Sequence, residues 1–210
     1  GNGAEQVRSA LGESVAYALQ PQRLGTANAV QAAEGLLADA SGLVLVISAD
    51  MPLLTADTLQ RLVTTQSQNT GPMALLTVRS ANPRGFGRIL RGVDGGVTGI
   101  VEEAQATAEQ LKIDELNVGA YCFNSSWLWQ ALWKIQLSPK GEYYLTDIVA
   151  VAVAEGSPVS SLTVTAEEET LGINNRVHLA EAERVIRRRI NQAHMLAGVS
   201  MTDPELVYIE

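Results

Sequence analysis

Asp50 closes an apolar run, LVLVISADMPL at 43–53, in a chain of 210 residues. Residues 43–48 suit a strand buried on both faces, which puts the carboxylate just past the strand's carboxyl end. In open α/β sheets ligands bind at that edge, and a carboxylate there can hold a metal ion or a ligand hydroxyl. The competing reading is a turn Asp ahead of Pro52. A second oxygen donor stands far along the chain, in LGINN at 171–175. Asn175 reads as a helix cap, which leaves Asn174 without a structural task. One Asp and one Asn oxygen form a partial shell for Mg²⁺, an ion that takes few protein oxygens and otherwise keeps waters and phosphates.

Other residues fit a nucleotide or a sugar. Gly25 and Thr26 stand at a helix start, where free N–H groups can meet a ligand, and Thr26 suits an N-cap. Gln20, one loop earlier, carries an amide able to read a nucleobase edge. Gly85 and Gly87 flank Phe86, and glycine permits close backbone approach. Glu102 ends a strand and Asn117 sits within another. Their carboxylate and amide match sugar hydroxyls and acetamido groups, or each other. Glu103 is expected to face solvent. His178 and His194 accompany no Cys, Asp or Ser motif and read as surface or packing residues. Trp127, Trp129 and Trp133 read as packing. No G-x-S-x-G, H-E-x-x-H or complete Walker motif occurs.

These residues need elements to hold them. The pattern predicts a helix over 4–11, a strand over 15–19, a helix over 27–38 and the strand over 43–48. A helix capped by Thr55 and reaching about 66 follows, then a strand over 73–78. The alternation implies a largely parallel sheet with helices on both faces. Strands over 88–91 and 97–103, joined by the DGG turn at 94–96, read as a hairpin. A strand over 115–123 comes next, then a helix capped by Ser125 or Ser126 and a helix ending near 155. A strand over 159–164 and an amphipathic helix over 177–196 complete the order.

Composition narrows the function classes. Hydrophobic residues make up 46 %, enough for a sizeable core without disulfides or metals. Net charge is −8 with no basic stripe, which argues against a nucleic-acid groove. The cluster Arg187–Arg188–Arg189 falls in a helical pattern and reads as a solvated face. A single cysteine, Cys122, makes the reducing cytoplasm the default location. No apolar run reaches the roughly 18 residues of a membrane span, and no secretory leader is read.

Seven stretches in order resemble the uridyltransferase domain of the bacterial bifunctional N-acetylglucosamine-1-phosphate uridyltransferase / glucosamine-1-phosphate acetyltransferase family. They are QPQRLGT at 20–26, ADMPL at 49–53, GFGRI at 85–89, VTGIVE at 97–102, ELNVG at 115–119, GEYYLTD at 141–147 and GINNR at 172–176. The resemblance implies a Rossmann-like nucleotidyltransferase fold with a mixed, mostly parallel sheet and a hairpin insertion. It implies attack by N-acetylglucosamine 1-phosphate on the α-phosphorus of UTP, giving UDP-N-acetylglucosamine and pyrophosphate. By the same resemblance Asp50 and Asn174 hold Mg²⁺. Gln20, Gly25 and Thr26 contact the uridine nucleotide, with Ser48 and Ala49 lining the site beside Asp50. Gly87, Glu102 and Asn117 hold the sugar.

The family begins with a strand and a Gly-rich loop whose Arg and Lys clasp the triphosphate; neither is read here. Residues 1–197 are therefore expected to be a truncated uridyltransferase domain, inactive alone. Residues 198–210 are expected to open the left-handed β-helix that carries acetyl transfer from acetyl-CoA and the homotrimer contacts. No nucleic-acid or membrane partner is expected. Val118 and Ser48 depart from residues common in the family. The alternatives are another sugar-1-phosphate nucleotidyltransferase, or a non-catalytic nucleotide-sugar-binding or assembly module.

Overall fold

The computed structural model describes residues 3–39 and 42–209. Helix α1 (Ala4–Leu11) leads to an extended segment, then to α2 (Thr26–Gln31) and α3 (Glu34–Leu37). Strand β1 (Leu43–Ile47) precedes α4 (Ala56–Ser67) and β2 (Met73–Arg79). The hairpin is β3 (Arg88–Arg91) with β4 (Val97–Val101). Strand β5 (Glu115–Asn124), α5 (Ser125–Leu132), α6 (Ile148–Ala154), β6 (Val159–Val164) and α7 (Arg176–Leu196) follow.

The six strands form one mixed α/β sheet in the order β4-β3-β5-β2-β6, with β1 also on β5. The parallel share is smaller than expected. β5 lies antiparallel to β1, β2 and β3, and only β2 and β6 are adjacent and parallel. The cause is connectivity. β5 is reached from a hairpin rather than through a crossover helix, so it enters the sheet in the opposite sense.

β2 shows why its sequence is continuously apolar. Met73 and Leu75 point to the layer containing α2, α5 and α6, while Ala74, Leu76 and Val78 point to the layer containing α4. A strand covered on both faces needs no polar alternation. β1 differs from the expectation of two buried faces. Val44 is buried, but Leu43, Leu45 and Ile47 remain 39, 38 and 48 % exposed. Only β5 pairs with it among the described residues.

Several local boundaries also differ. Residues 15–19 form no strand, because none of their backbone groups enters a ladder. The helix expected over 27–38 breaks into α2 and α3 at Ala32 and Ala33. Asn124, not Ser125 or Ser126, caps α5, its side chain accepting from the Ser126 N–H at 3.1 Å. Thr55 caps α4 as expected, accepting from the Thr58 N–H at 3.2 Å. Trp129 is core and Trp127 partly buried, but Trp133, just past α5, is 72 % exposed. No described helix is long and apolar enough to cross a membrane.

Candidate active site

The site lies where β5 changes neighbours along one edge. Its early residues meet β3, with Leu116 opposite Arg88, and its later residues meet β1, with Ala120 opposite Ile47. Between them β5 bulges. Leu75 of β2 faces Tyr121, yet Thr77 faces Asn117. The bulge opens a gap that β1 and β3 frame from either end. Asn117 spans it. Its N–H donates to the Gly87 carbonyl at 2.9 Å, its side-chain oxygen accepts from the Gly119 N–H at 3.2 Å, and its amide donates to the Tyr121 hydroxyl at 2.8 Å.

Gly87 is required by space as well as by sequence. A Cβ there would stand 2.9 Å from Ile100 Cγ2 and 3.2 Å from the Val101 carbonyl oxygen. The β4 backbone therefore packs directly against it. Glu102, just past β4, accepts from the buried Thr146 hydroxyl at 2.8 Å. Glu103 keeps 40 % of its side chain exposed, as expected, but it also has an internal partner. It accepts from Arg88 Nη2 at 2.9 Å, and Arg88 is only 2 % exposed. A guanidinium that deeply buried needs a carboxylate partner, and among the described residues Glu103 supplies it.

Asp50 sits in the turn after β1, where the Met51 N–H donates to the Ser48 carbonyl at 3.3 Å. Asp50 is thus a turn residue, and it stands just past the carboxyl end of β1. The Ile173 N–H donates to the Asp50 carbonyl at 2.8 Å and carries the 171–175 loop to it. Asn175 caps α7 as expected, accepting from the Val177 and His178 N–H groups. That cap frees Asn174, which is exposed and lines the same cleft as Asp50. Two oxygen donors with no cage around them suit a cation completed by water and phosphate. Among the described residues no group of three or more His, Cys, Asp or Glu side chains could enclose one.

Ser48, Asp50, Gly87, Glu102, Asn117 and Asn174 line one cleft of about 220 Å³. An adjoining cleft of about 300 Å³ shares Ser48, Glu102 and Asn117 and adds Thr26 and Leu145. Gln20, Gly25 and Ala49 line neither. Gln20 donates to the Gly25 carbonyl at 3.1 Å and to Asn28 at 3.0 Å. Gly25, at φ +100°, lies where a Cβ would meet the Tyr143 carbonyl oxygen at 2.4 Å. Thr26 is the first residue of α2 rather than its cap, and its hydroxyl accepts from the Leu145 N–H at 2.9 Å. With Tyr143 N–H donating to Leu24 and Ala27 N–H donating to Tyr143, this stretch grips residues 143–145. That grip sets Thr146 against Glu102.

The clefts are acidic. Arg84 is the one Lys or Arg among the residues lining them, and it is paired with Glu181 at 2.9 Å. Burial, with the nearby Glu102 charge second, raises the Asp147 carboxyl above its ordinary range. Burial also raises the Tyr121 hydroxyl, against the hydrogen bond from Asn117. Thr146 and Tyr121 escaped the sequence reading. A Thr before an Asp at a helix start resembles a cap, and a Tyr in an apolar strand resembles core.

A family model described as nucleotidyl transferase matches residues 4–168. Curated relatives are similar along the whole chain. The bifunctional protein GlmU of Halalkalibacterium halodurans is 43 % identical over 210 residues, which are all of this chain and 46 % of the relative. Its namesake in Exiguobacterium sibiricum is 43 % identical over 210 residues, 47 % of that protein. That of Latilactobacillus sakei is 42 % identical over 211 residues, 46 % of that protein. The chain spans about half the length of the curated relatives it matches.

Proposed function

The chain belongs to the nucleotidyl transferase family, and on that premise we propose that it carries uridylyl transfer from UTP to N-acetylglucosamine 1-phosphate. The sugar phosphate oxygen bonds to the α-phosphorus of UTP as the bond to the departing pyrophosphate oxygen breaks. UDP-N-acetylglucosamine is the second product. The observation that supports this reading most is convergence. Five segments separated in sequence put Ser48, Asp50, Gly87, Glu102, Asn117 and Asn174 on one cleft.

In this reading Asp50 and Asn174 hold Mg²⁺, which when bound neutralises phosphate charge and aligns the reacting oxygens. Glu102, fixed by Thr146, accepts from a sugar hydroxyl. Asn117 offers its amide edge to the acetamido group, and Gly87 leaves room for the ring. Thr26 and Ser48 border the nucleotide side, with Gln20, Gly25 and Ala49 shaping it from behind. The transfer needs positioning and charge neutralisation rather than a covalent enzyme intermediate. Because Arg84 is already paired, the 210 residues alone are expected to release pyrophosphate slowly.

Residues 1–197 are read as the nucleotidyltransferase domain and 198–210 as the entry to a second. In the longer protein that domain would acetylate glucosamine 1-phosphate and join a cytoplasmic homotrimer. The test of the uridylyl reading is pyrophosphate release by a full-length protein containing this chain. UTP and N-acetylglucosamine 1-phosphate should exceed every other pairing of nucleoside triphosphate and sugar 1-phosphate by at least tenfold. Equal rates with another base or sugar would reject it, and brisk turnover by the 210 residues alone would reject the expectation of slow release.

A further inference from the structure

Two loops carry Asp50 and Asn174, and three rungs lace them together. The first is the Ile173 N–H on the Asp50 carbonyl at 2.8 Å. The last is Glu169, 8 % exposed, which accepts from the Thr55 N–H at 3.1 Å and the Thr55 hydroxyl at 3.0 Å. The middle rung comes from α7. Arg189 donates through Nη1 to the Leu53 carbonyl at 2.8 Å and reaches Glu168 through Nη2 at 3.4 Å. Arg188 also pairs with Glu168. The basic cluster is therefore not merely a solvated face.

We propose that Arg189 is a positioning residue for the metal pair, holding the Asp50 loop and the Asn174 loop at one separation. The inference rests on the reading of Asp50 and Asn174 as metal ligands. Only a planar guanidinium can serve a carbonyl on one loop and a carboxylate on the other through two separate nitrogens; a lysine ammonium is a single point. Arg187, two residues earlier, faces a different task. It stacks on the Tyr208 ring at 4.5 Å and pairs with Glu205 at 3.9 Å, both on the segment after α7. The same helix thus offers its own control.

The test uses Mn²⁺ as the probe, with loss of the free-ion electron paramagnetic resonance signal read in the presence of UDP-N-acetylglucosamine. Arg189→Met, which keeps the aliphatic stem, should weaken Mn²⁺ binding about tenfold, the low end for residues that orient metal ligands. Arg189→Lys should fall between Met and the parent. Arg187→Met should leave Mn²⁺ binding unchanged. Should Arg189→Met fail to fold, Glu168→Ala removes the same rung from the other loop and should weaken binding in the same sense. If Asp50→Ala leaves Mn²⁺ binding intact, the metal reading fails and this inference with it. If Asp50→Ala weakens binding but Arg189→Met and Glu168→Ala do not, the inference alone is wrong. Equal loss in Arg187→Met and Arg189→Met would also overturn it, since the effect would then belong to the helix as a whole.

Discussion

The Ile173 N–H donates to the Asp50 carbonyl at 2.8 Å. This single backbone bond joins the turn after β1 to the loop before α7, and it brings Asp50 and Asn174 to one cleft. Side chains that act on one phosphate are useful only if their separation is fixed, and this bond is the backbone rung of the three that join the loops.

On the proposed reading of Asp50 and Asn174 as metal ligands, loss of either should lower activity. Asp50→Ala in the full-length protein is expected to lower Mg²⁺-dependent uridylyl transfer by at least about a hundredfold, as for other electrostatic stabilisers. Asn174→Ala should cost less, because a neutral oxygen contributes less than a carboxylate. Initial rates across a Mg²⁺ titration check both. Full activity of Asp50→Ala at saturating Mg²⁺ would be incompatible with the role assigned.

Thr146 donates to Glu102 and lines the adjoining cleft. Thr146→Val removes a hydrogen bond to a carboxylate worth roughly 1.5–3 kcal/mol. The KM for the sugar phosphate should rise about tenfold while the KM for UTP stays within twofold, and Thr146→Ser should restore it. A parallel rise in both constants would mean that Thr146 supports the whole domain instead.

Gly25→Ala forces a Cβ to within 2.4 Å of the Tyr143 carbonyl oxygen and strains φ at +100°. We expect a loss of roughly 1–3 kcal/mol of stability, the usual range for backbone strain. Urea unfolding measures it. An unchanged midpoint would mean that residues 143–145 yield freely.

Glu103→Ala leaves the buried Arg88 guanidinium without its carboxylate, and should destabilise by roughly 1–3 kcal/mol, the cost of an unsatisfied buried group. Glu103→Gln keeps an acceptor and should cost less. Thermal unfolding of the two variants side by side distinguishes loss of charge from loss of the hydrogen bond.

Two carboxylates predict opposite pH trends. Asp147 is raised, so its contribution is full below the ordinary Asp range and lost as pH rises through the raised value. Asp147→Asn should match the parent in acid and exceed it progressively towards neutral pH. Glu115 is lowered, chiefly by its hydrogen bond from Arg91, so its contribution is present at neutral pH and lost as pH falls. Glu115→Gln should be less stable than the parent at pH 7 and converge with it in acid. Urea midpoints across pH test both signs.

Much of the fold was legible because the elements announce themselves locally. β2 is a continuous apolar run, α4 has its Thr55 cap, and α7 has its Asn175 cap and amphipathic length. The hairpin was marked by its turn. Expectations that rested on unseen neighbours fared worse. Residues 15–19 read as a short strand but find no ladder, and β1 has apolar side chains on a face that stays partly open. Glu103 is partly exposed as expected, but nothing local reveals that it also pairs with a buried Arg88, fifteen residues earlier.

For the site, the sequence by itself determined which side chains are available. Asp50 stands past a strand end, Glu102 at a strand end, Asn117 within a strand, and Asn174 is freed by the neighbouring cap. Those are properties of residue type and short spacing, set by local backbone preference. Only the tertiary structure decided which of them meet. The bulge in β5, the grip of residues 24–27 on 143–145 and the rungs between the Asp50 and Asn174 loops are contacts across long chain separations. Their geometry depends on how the layers pack, and no local pattern encodes it.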